Sequence, residues 1–397
     1  MSKWNPGAGL LAAAALMPFA LLTGSPVHAQ TYTVLHNFTG GAHDGANPQG
    51  PLIENAKHQF YGASLNGGRY GYGTVFKLNK TGKSSVLNSF AYYNGWDPTS
   101  GVIQGSDGNL YGTTWGGGYG YGQGQWNSGV LFELDQGKKA KLLYQFSVED
   151  GQSSPNGLTA DALGNLYGVA AGGPYGAGFI YEFDTAGSFS VLYNFTGGND
   201  GTTPQGPLAW GPDNDLYGVT KSGGANAAGT VFKVDISGNL TTLYAFVRGT
   251  GDGYTPNPGT LAFDAQGNIY GTTQYGGTGT ACSRGCGTVF EVTPTGSESV
   301  AYSFQGGAGG GYPLTQAVID QAGNIYGTTS QYGDQTCACG VLFRLDDEGN
   351  ETVLHTWTGT DGSRPSGQLL LSEGRLYGLT AAGGASNEGV AFRWSPK

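Results

Sequence analysis

The chain writes one short phrase seven times. NLYGTTWGGG (109–118) returns as QFYGASLNGG, NLYGVAAGG, DLYGVTKSGG, NIYGTTQYGG, NIYGTTSQYG and RLYGLTAAGG. The tyrosines are Tyr61, Tyr111, Tyr167, Tyr217, Tyr270, Tyr326 and Tyr377, spaced 50, 56, 50, 53, 56 and 51 residues apart. A period near fifty is longer than most solenoid repeats, and several strand signals inside each period point to a propeller.

Each unit holds four strand-like runs. In the fourth they are GPLAW (206–210), DLYGVT (215–220), TVFKVD (230–235) and TTLYAF (241–246). The first and third breaks are short and rich in Asp, Asn and Gly, the residues that tight hairpins accept. Four such strands in an antiparallel meander make one blade.

The ends of the chain sharpen this. The fourth-strand phrase also occurs seven times, as VLHNF, VLNSF, LLYQF, VLYNF, TLYAF, VAYSF and VLHTW, but its first copy (34–38) precedes the first Tyr-Gly. The last unit stops at its third strand, GVAFRW (389–394). An N-terminal strand that completes the seventh blade closes the ring and removes two open sheet edges. The expectation is all-β: a seven-bladed propeller of four-stranded antiparallel blades. The blades fall at about 44–90, 97–146, 150–195, 200–246, 252–304 and 311–357, the seventh being 361–394 plus 32–38.

Composition agrees. Seventy-five glycines without a three-residue period exclude collagen, and 12% aromatic with 12% charged residues opposes disorder. A formal charge of −10 disfavours nucleic acid and anionic lipid. Residues 1–29 read as a cleaved secretory signal: Lys3, an apolar run from Leu10 to Leu22, then Val27-His28-Ala29. That run is too short to span a bilayer, so no membrane insertion is expected. With no C-terminal sorting tail evident, the mature chain is expected to be secreted or periplasmic. Gly50, Gly101, Gly157, Gly206, Gly259 and Gly367 are expected to begin the innermost strands, where blades crowd the axis; the sixth unit departs with Gln316-Ala317.

The combination of Tyr-Gly-Thr-Thr, Gly-Gly and Gly-Thr-Val-Phe (73–76, 229–232 and 287–290) resembles the bacterial GloVer tandem-repeat family. The likeness runs from about Tyr32 to Trp394 and implies export or surface display. It carries over no catalytic residue.

In a propeller the second-to-third and fourth-to-first connections open on one face. Here those are the long, irregular ones, and variable loops on a rigid frame are where binding concentrates. Blades 1 and 2 supply that face with Tyr70, Tyr72, Tyr92, Tyr93, Trp96, Trp115, Tyr119, Tyr121 and Trp126. Such rings either pack glycine-rich loops or stack on sugars. The candidate ligand residues are Trp96, Trp115, Trp126, Tyr93, Tyr119 and Tyr121. Trp115 and Trp126 are the better candidates, because other repeats hold Ala, Lys or Gln where Trp115 sits. Four cysteines in equivalent loops of adjacent blades read as disulfides, Cys282–Cys286 and Cys337–Cys339 being preferred over cross-pairing or zinc.

Asp44, Asp97, Asp150, Asp200, Asp252 and Asp361, each shortly before a proline, read as turn formers rather than as a calcium ring. The weak catalytic candidates are His43 and Asp44 with Arg69 and Tyr70; His36 and His355 look structural. No nucleophile elbow, phosphate loop or metalloprotease motif occurs, and no cofactor is implied. The leading expectation is an exported binding or scaffold module for a polysaccharide or envelope glycan. The alternatives are a glycoside hydrolase or polysaccharide lyase on the same face, and a structural component that binds a surface protein.

Overall fold

The computed structural model describes residues 30–118, 128–135, 140–147, 150, 155–249 and 251–396. Residues 1–29, read above as a secretory signal, lie outside them. Seven antiparallel sheets follow one another around a ring, and blade 4 shows the pattern: Thr202–Trp210 innermost, then Leu216–Ser222, Thr230–Val234 and Leu240–Ala245 outermost. The innermost strands of blades 5 and 6 are each broken in two, as Gly253–Pro256 with Ala262–Phe263 and Gly311–Pro313 with Val318–Ile319.

The seventh blade draws on both ends of the chain. Thr31–Asn37 pairs antiparallel with Val390–Ser395, Tyr32 opposite Trp394. Tyr32 then locks this blade to the sixth. Its ring stacks on His355 at 3.7 Å, its hydroxyl donates to Asp361 O at 2.8 Å, and it accepts from Trp357 Nε1 at 2.9 Å.

There is no single core. Seven apolar clusters lie one at each interface between neighbouring blades, the last joining blades 7 and 1. Each contains the same clasp. The aromatic that ends an outermost strand meets the aromatic of the next blade's third strand edge-on, as Phe38–Phe76, Phe90–Phe132 and so on to Trp357–Phe392. The centroids are 5.0–5.4 Å apart at all seven interfaces. Edge-on pairs favour the ring quadrupoles and add about 1 kcal/mol beyond burial.

A second device joins blades on the irregular face. The glycine of Gly-Thr-Val-Phe leaves room for the proline that opens the next blade. A Cβ on Gly229 would sit 2.5 Å from Pro256 Cδ, and one on Gly389 would sit 2.7 Å from Pro48 Cδ, across the ring closure. Among the described residues, the one before each such proline turns into the left-handed region: Asn47, Asp97, Thr203, Thr255, Tyr312 and Arg364 have φ between 50° and 59°. That turn lets the N–H reach back to the previous blade, as Thr203 does to Ala177 O at 2.8 Å and Thr255 to Ala228 O at 2.9 Å.

In blade 2 the innermost strand, Val102–Gln104, begins directly after Gly101 as expected, whereas in blades 1, 3, 4, 5 and 7 it starts earlier than the glycine suggests. Pairing begins in the Asp-Gly-to-Pro segment and shifts register at the glycine, for example between Gln205 and Ala209. The glycine's job is close approach: a Cβ on Gly367 would lie within 2 Å of Gly50 O in the next blade. Blade 6 does without it because Gln316 fills the gap. Its Oε1 accepts from Thr272 N–H at 2.6 Å and its Nε2 donates to Asn257 O at 2.5 Å. Gln368 of blade 7 reaches Thr260 of blade 5 in the same manner, at 2.7 Å and 3.0 Å, tying non-adjacent blades together across the axis.

Candidate functional site

The innermost strands converge on a cavity of about 630 Å³ that opens on the irregular face and takes residues from all seven blades. Two positions of the repeat contribute to its wall from several blades. One follows the repeat tyrosine by four residues, where the second strand ends; Trp115, Ala171, Lys221, Gln274 and Ala381 line the cavity from there. The other is the left-handed residue before the proline, which brings Thr203, Thr255 and Arg364 to the wall. Gln49, Ser100, Asn156, Gln205, Asn257, Thr315, Ser366 and Gln368 add amides and hydroxyls. Among the described residues no carboxylate, histidine or cysteine lines it.

Trp115 is half exposed at this wall, 49% by area. Trp96 meets it edge-on at 4.9 Å, Tyr92 stacks on Trp96 at 6.2 Å, and Tyr72 meets Tyr92 at 5.8 Å. Trp96 lies against Gly116, where a Cβ would come within 2.3 Å of its ring. The two tryptophans thus differ: Trp96 is wedged into the loop and buttresses Trp115, while Trp115 has an open face. Tyr93 and Tyr70 are exposed on the same side, and Arg69 lies over the Tyr70 ring at 5.6 Å. Tyr119, Tyr121 and Trp126 lie outside the described residues.

Asp44 faces His36, not its neighbour His43. His36 Nε2 is 3.1 Å from both carboxylate oxygens, which also accept from Thr39 N–H, Thr39 Oγ1 and Gly45 N–H. These bonds hold its carboxyl below the usual range against the opposing effect of burial. The same arrangement recurs around the ring. Asp150 accepts from Tyr144, Asp200 from Tyr193, Asp252 from Tyr244, and Asp361 stands 2.8 Å from His355 Nε2. His43 is exposed.

Asp97 is the exception in that aspartate series. It stands directly before Pro98, in the position of Thr203 and Arg364, and its backbone carbonyl accepts from Trp115 N–H at 2.9 Å. Burial raises its carboxyl above the usual range.

The cysteines form Cys282–Cys286 and Cys337–Cys339, with S–S distances of 2.02 and 2.08 Å. Their thiolates are thereby unavailable to a metal. No group of three or more His, Cys, Asp or Glu able to hold a metal occurs among the described residues.

The first disulfide loop belongs to an aromatic row that the sequence did not single out. Tyr254, Tyr275, Tyr312 and Tyr332 follow one another with centroids 5.5, 5.7 and 6.1 Å apart. Arg284 lies over Tyr275 and Arg248 over Tyr254. The row starts beside Thr255 and Gln274, so it flanks the cavity on blades 5 and 6 as Trp115 does on blade 2. A smaller cavity of about 310 Å³ opens on the opposite face between blades 1 and 2, with Lys57, Lys77 and Tyr61 in its wall.

Among solved structures, a streptogramin B lyase aligns with 12% identity over 94% of this chain and 100% of its own, at a TM-score of 0.61. Virginiamycin B lyase from Staphylococcus aureus aligns with 12% identity over 93% and 99%, at 0.59. The polysaccharide lyase Uly1 aligns with 11% identity over 94% of both chains, at 0.54. At such identities the likeness is one of fold. No curated protein matches the chain. The model of the Gloeobacter/Verrucomicrobia repeat matches residues 23–125, 119–338 and 278–397. With the seven Tyr-Gly phrases each placed in one blade of a closed ring, the chain belongs to the Gloeobacter/Verrucomicrobia repeat family.

Proposed function

We propose that the protein is an exported carbohydrate-binding module that takes a segment of a glycan into the axial cavity against Trp115. The observation that carries this reading is the composition of the wall: one indole face, a ring of neutral amides and hydroxyls, and no carboxylate among the described residues. Amides donate and accept at once, which suits the alternating roles of sugar hydroxyls, while the indole covers the apolar face of a sugar ring. The volume falls within the range of small-ligand pockets. Glycoside hydrolysis, by contrast, needs two carboxyl groups facing across the site. The two disulfides accord with an oxidising, extracytoplasmic location.

Titration of the mature protein against a polysaccharide panel tests the reading. Binding weakened about tenfold or more by Trp115→Ala is expected, from the worth of an aromatic stacking contact. If no glycan binds, or if Trp115→Ala leaves affinity unchanged, the proposal fails, and recovery of a surface protein from the native envelope would favour a protein-binding role.

One observation favours a second reading, a polysaccharide lyase. Lys221 lines the cavity, and Asp97, its carboxyl raised by burial, is bonded through its backbone to Trp115. Incubation with the same panel and a search for unsaturated products by ultraviolet absorbance separates binding from cleavage.

A further inference from the structure

We infer that the glycan taken by the axial cavity is acidic, its carboxylate or sulfate ester held by Lys221 and Arg364. This rests on the reading of the cavity as the glycan site and adds the charge class of the ligand.

The chain as a whole carries a formal charge of −10, so a cavity whose described wall holds two cations and no carboxylate is the unusual feature. Half of the described lysines and arginines are committed elsewhere. Lys80 and Arg375 pair with Glu373, Lys141 with Glu133, and Lys233 with Asp213 and Asp215. Arg69, Arg248 and Arg284 lie over tyrosine rings. Lys221 and Arg364 form no ion pair with a described residue, and both stand on the wall of one cavity.

A concave wall with one sign of charge focuses its potential on the space it encloses. Surface lysines and arginines are ordinarily just solvated, but two features separate this pair from that background. First, each occupies one of the two wall-forming positions, where other blades place Ala171, Ala381, Thr203 or Thr255. Second, the left-handed backbone at this position belongs to the blade junction and is taken most readily by asparagine or glycine, so the junction itself gives no reason for a long cationic side chain at Arg364.

The placement also suits a chain-like ligand. Trp115, Lys221 and Arg364 belong to blades 2, 4 and 7, so they surround the axis rather than share one edge. A sugar ring on Trp115 then leaves its acidic substituent or its neighbour's over the axis. There the arginine fork can take two oxygens of a carboxylate or sulfate, with the lysine as a point charge.

The test uses uronate-bearing polysaccharides (pectin, alginate, hyaluronan) beside their carboxyl-reduced products, and sulfated chains beside their desulfated products. Wild type, Lys221→Gln, Arg364→Gln and Trp115→Ala are titrated with each. Both cations are exposed, so neither substitution disturbs a core, and unchanged melting curves confirm it. The expected result is binding of at least one acidic chain, about tenfold or more tighter than its neutral product. Each cation variant should lose on the order of tenfold on the acidic chain and little on the neutral one. Which paired product loses affinity distinguishes carboxylate from sulfate. If acidic and neutral forms bind alike, or if the cation variants bind the acidic chain as wild type does while Trp115→Ala weakens it, the charge inference is overturned and the glycan site stands. If nothing binds and Trp115→Ala is silent, both fall.

Discussion

Glu298 offers a measurement of how the blades are held together. It begins the outermost strand of blade 5, opposite Val292, a position that faces the outermost strand of the preceding blade. Elsewhere in the ring that position is well matched: Phe189 stacks on Tyr144, Tyr32 on His355, and Glu351 accepts from Tyr302 at 2.8 Å. In blade 5 the partner is engaged elsewhere, because Tyr244 donates to Asp252 Oδ2 at 2.8 Å. Glu298 Oε1 is buried without a donor. Burial first, and the charge of Asp252 second, push the Glu298 carboxyl up from 4.5 to about 7, with Tyr244 only partly opposing them.

Because the folded value lies above the unfolded one, the folded state binds the proton more tightly. The penalty of the ionised glutamate is therefore full above pH 7, shrinks as pH falls towards 4.5, and is absent below that. For a sealed carboxyl the displacement would correspond to about 3 kcal/mol. Solvent screening of this half-exposed side chain reduces it to about 1–2 kcal/mol. Glu298→Gln keeps the shape and removes the charge. It should stabilise the fold by about that amount at pH 8 and by a small fraction of it at pH 5, which in a chain of this size raises Tm by roughly 1–3 °C at the higher pH. Paired melts of wild type and variant at the two pH values measure the difference, with titration of all other groups common to both. An equal effect at pH 5 and 8, or destabilisation at pH 8, would refute the argument that an unpaired carboxylate sits there.

Gly229→Ala should cost on the order of 3 kcal/mol, because the new Cβ meets Pro256 and the backbone carbonyl of Thr220 at 2.5 Å with φ at +103°. Gly176→Ala, with open space and φ at +67°, should cost about 1 kcal/mol in the same denaturant titration. Tyr32→Ala removes a stacked ring and the acceptor of Trp357 Nε1, and should cost about 3–5 kcal/mol by chemical denaturation. Replacing Cys282 and Cys286 by serine opens a short loop and should cost roughly 2 kcal/mol by thermal melting.

The ring was legible in the sequence because its parts repeat for reasons that act locally. Tyr111 donates to Asp107 and Tyr326 to Asp320, and with Tyr167, Tyr217 and Tyr270 doing the same, tyrosine and turn acid travel together in five of the seven units. The offset of the last strand phrase was equally readable, since Phe38 N–H donates to Gly389 O as each equivalent aromatic does within its own blade. Outside blade 2 the start of the innermost strand was not readable. Proline and glycine there suggest a break, yet both serve contacts with neighbouring blades that no local pattern reveals. The cavity was half legible. The departure at Trp115 pointed to the right position, and the same comparison applied to Lys221, or to the residue before each proline, would have found the rest of the wall. The tyrosine row on blades 5 and 6 had no such signal, because its tyrosines do not recur in the other blades: Tyr254 pairs with Tyr275 inside blade 5, and Tyr275 then meets Tyr312 across the blade interface.

What repeats and what varies are therefore different kinds of residue. The clasp aromatics, the Gly–Pro junctions and the turn acids recur because every interface must solve the same packing problem. An interface that failed would open the ring and expose the edges that closure hides. The side chains at the two wall positions face no such demand, since they border open space, whereas the left-handed backbone before the proline recurs with the junction. Freedom alone would fill them with small or solvated residues, as Ala171 and Ala381 do. An indole with an open face, an arginine in a left-handed backbone and a lysine without a counter-charge are not what packing requires of these positions. Their gathering around one axis is the physical reason to place recognition in the cavity rather than on the outer loops. On that view, exchanging outer-loop residues such as Tyr93 should leave ligand affinity unchanged where Trp115→Ala does not, and an equal loss from Tyr93→Ala would move the site outward to the loop surface.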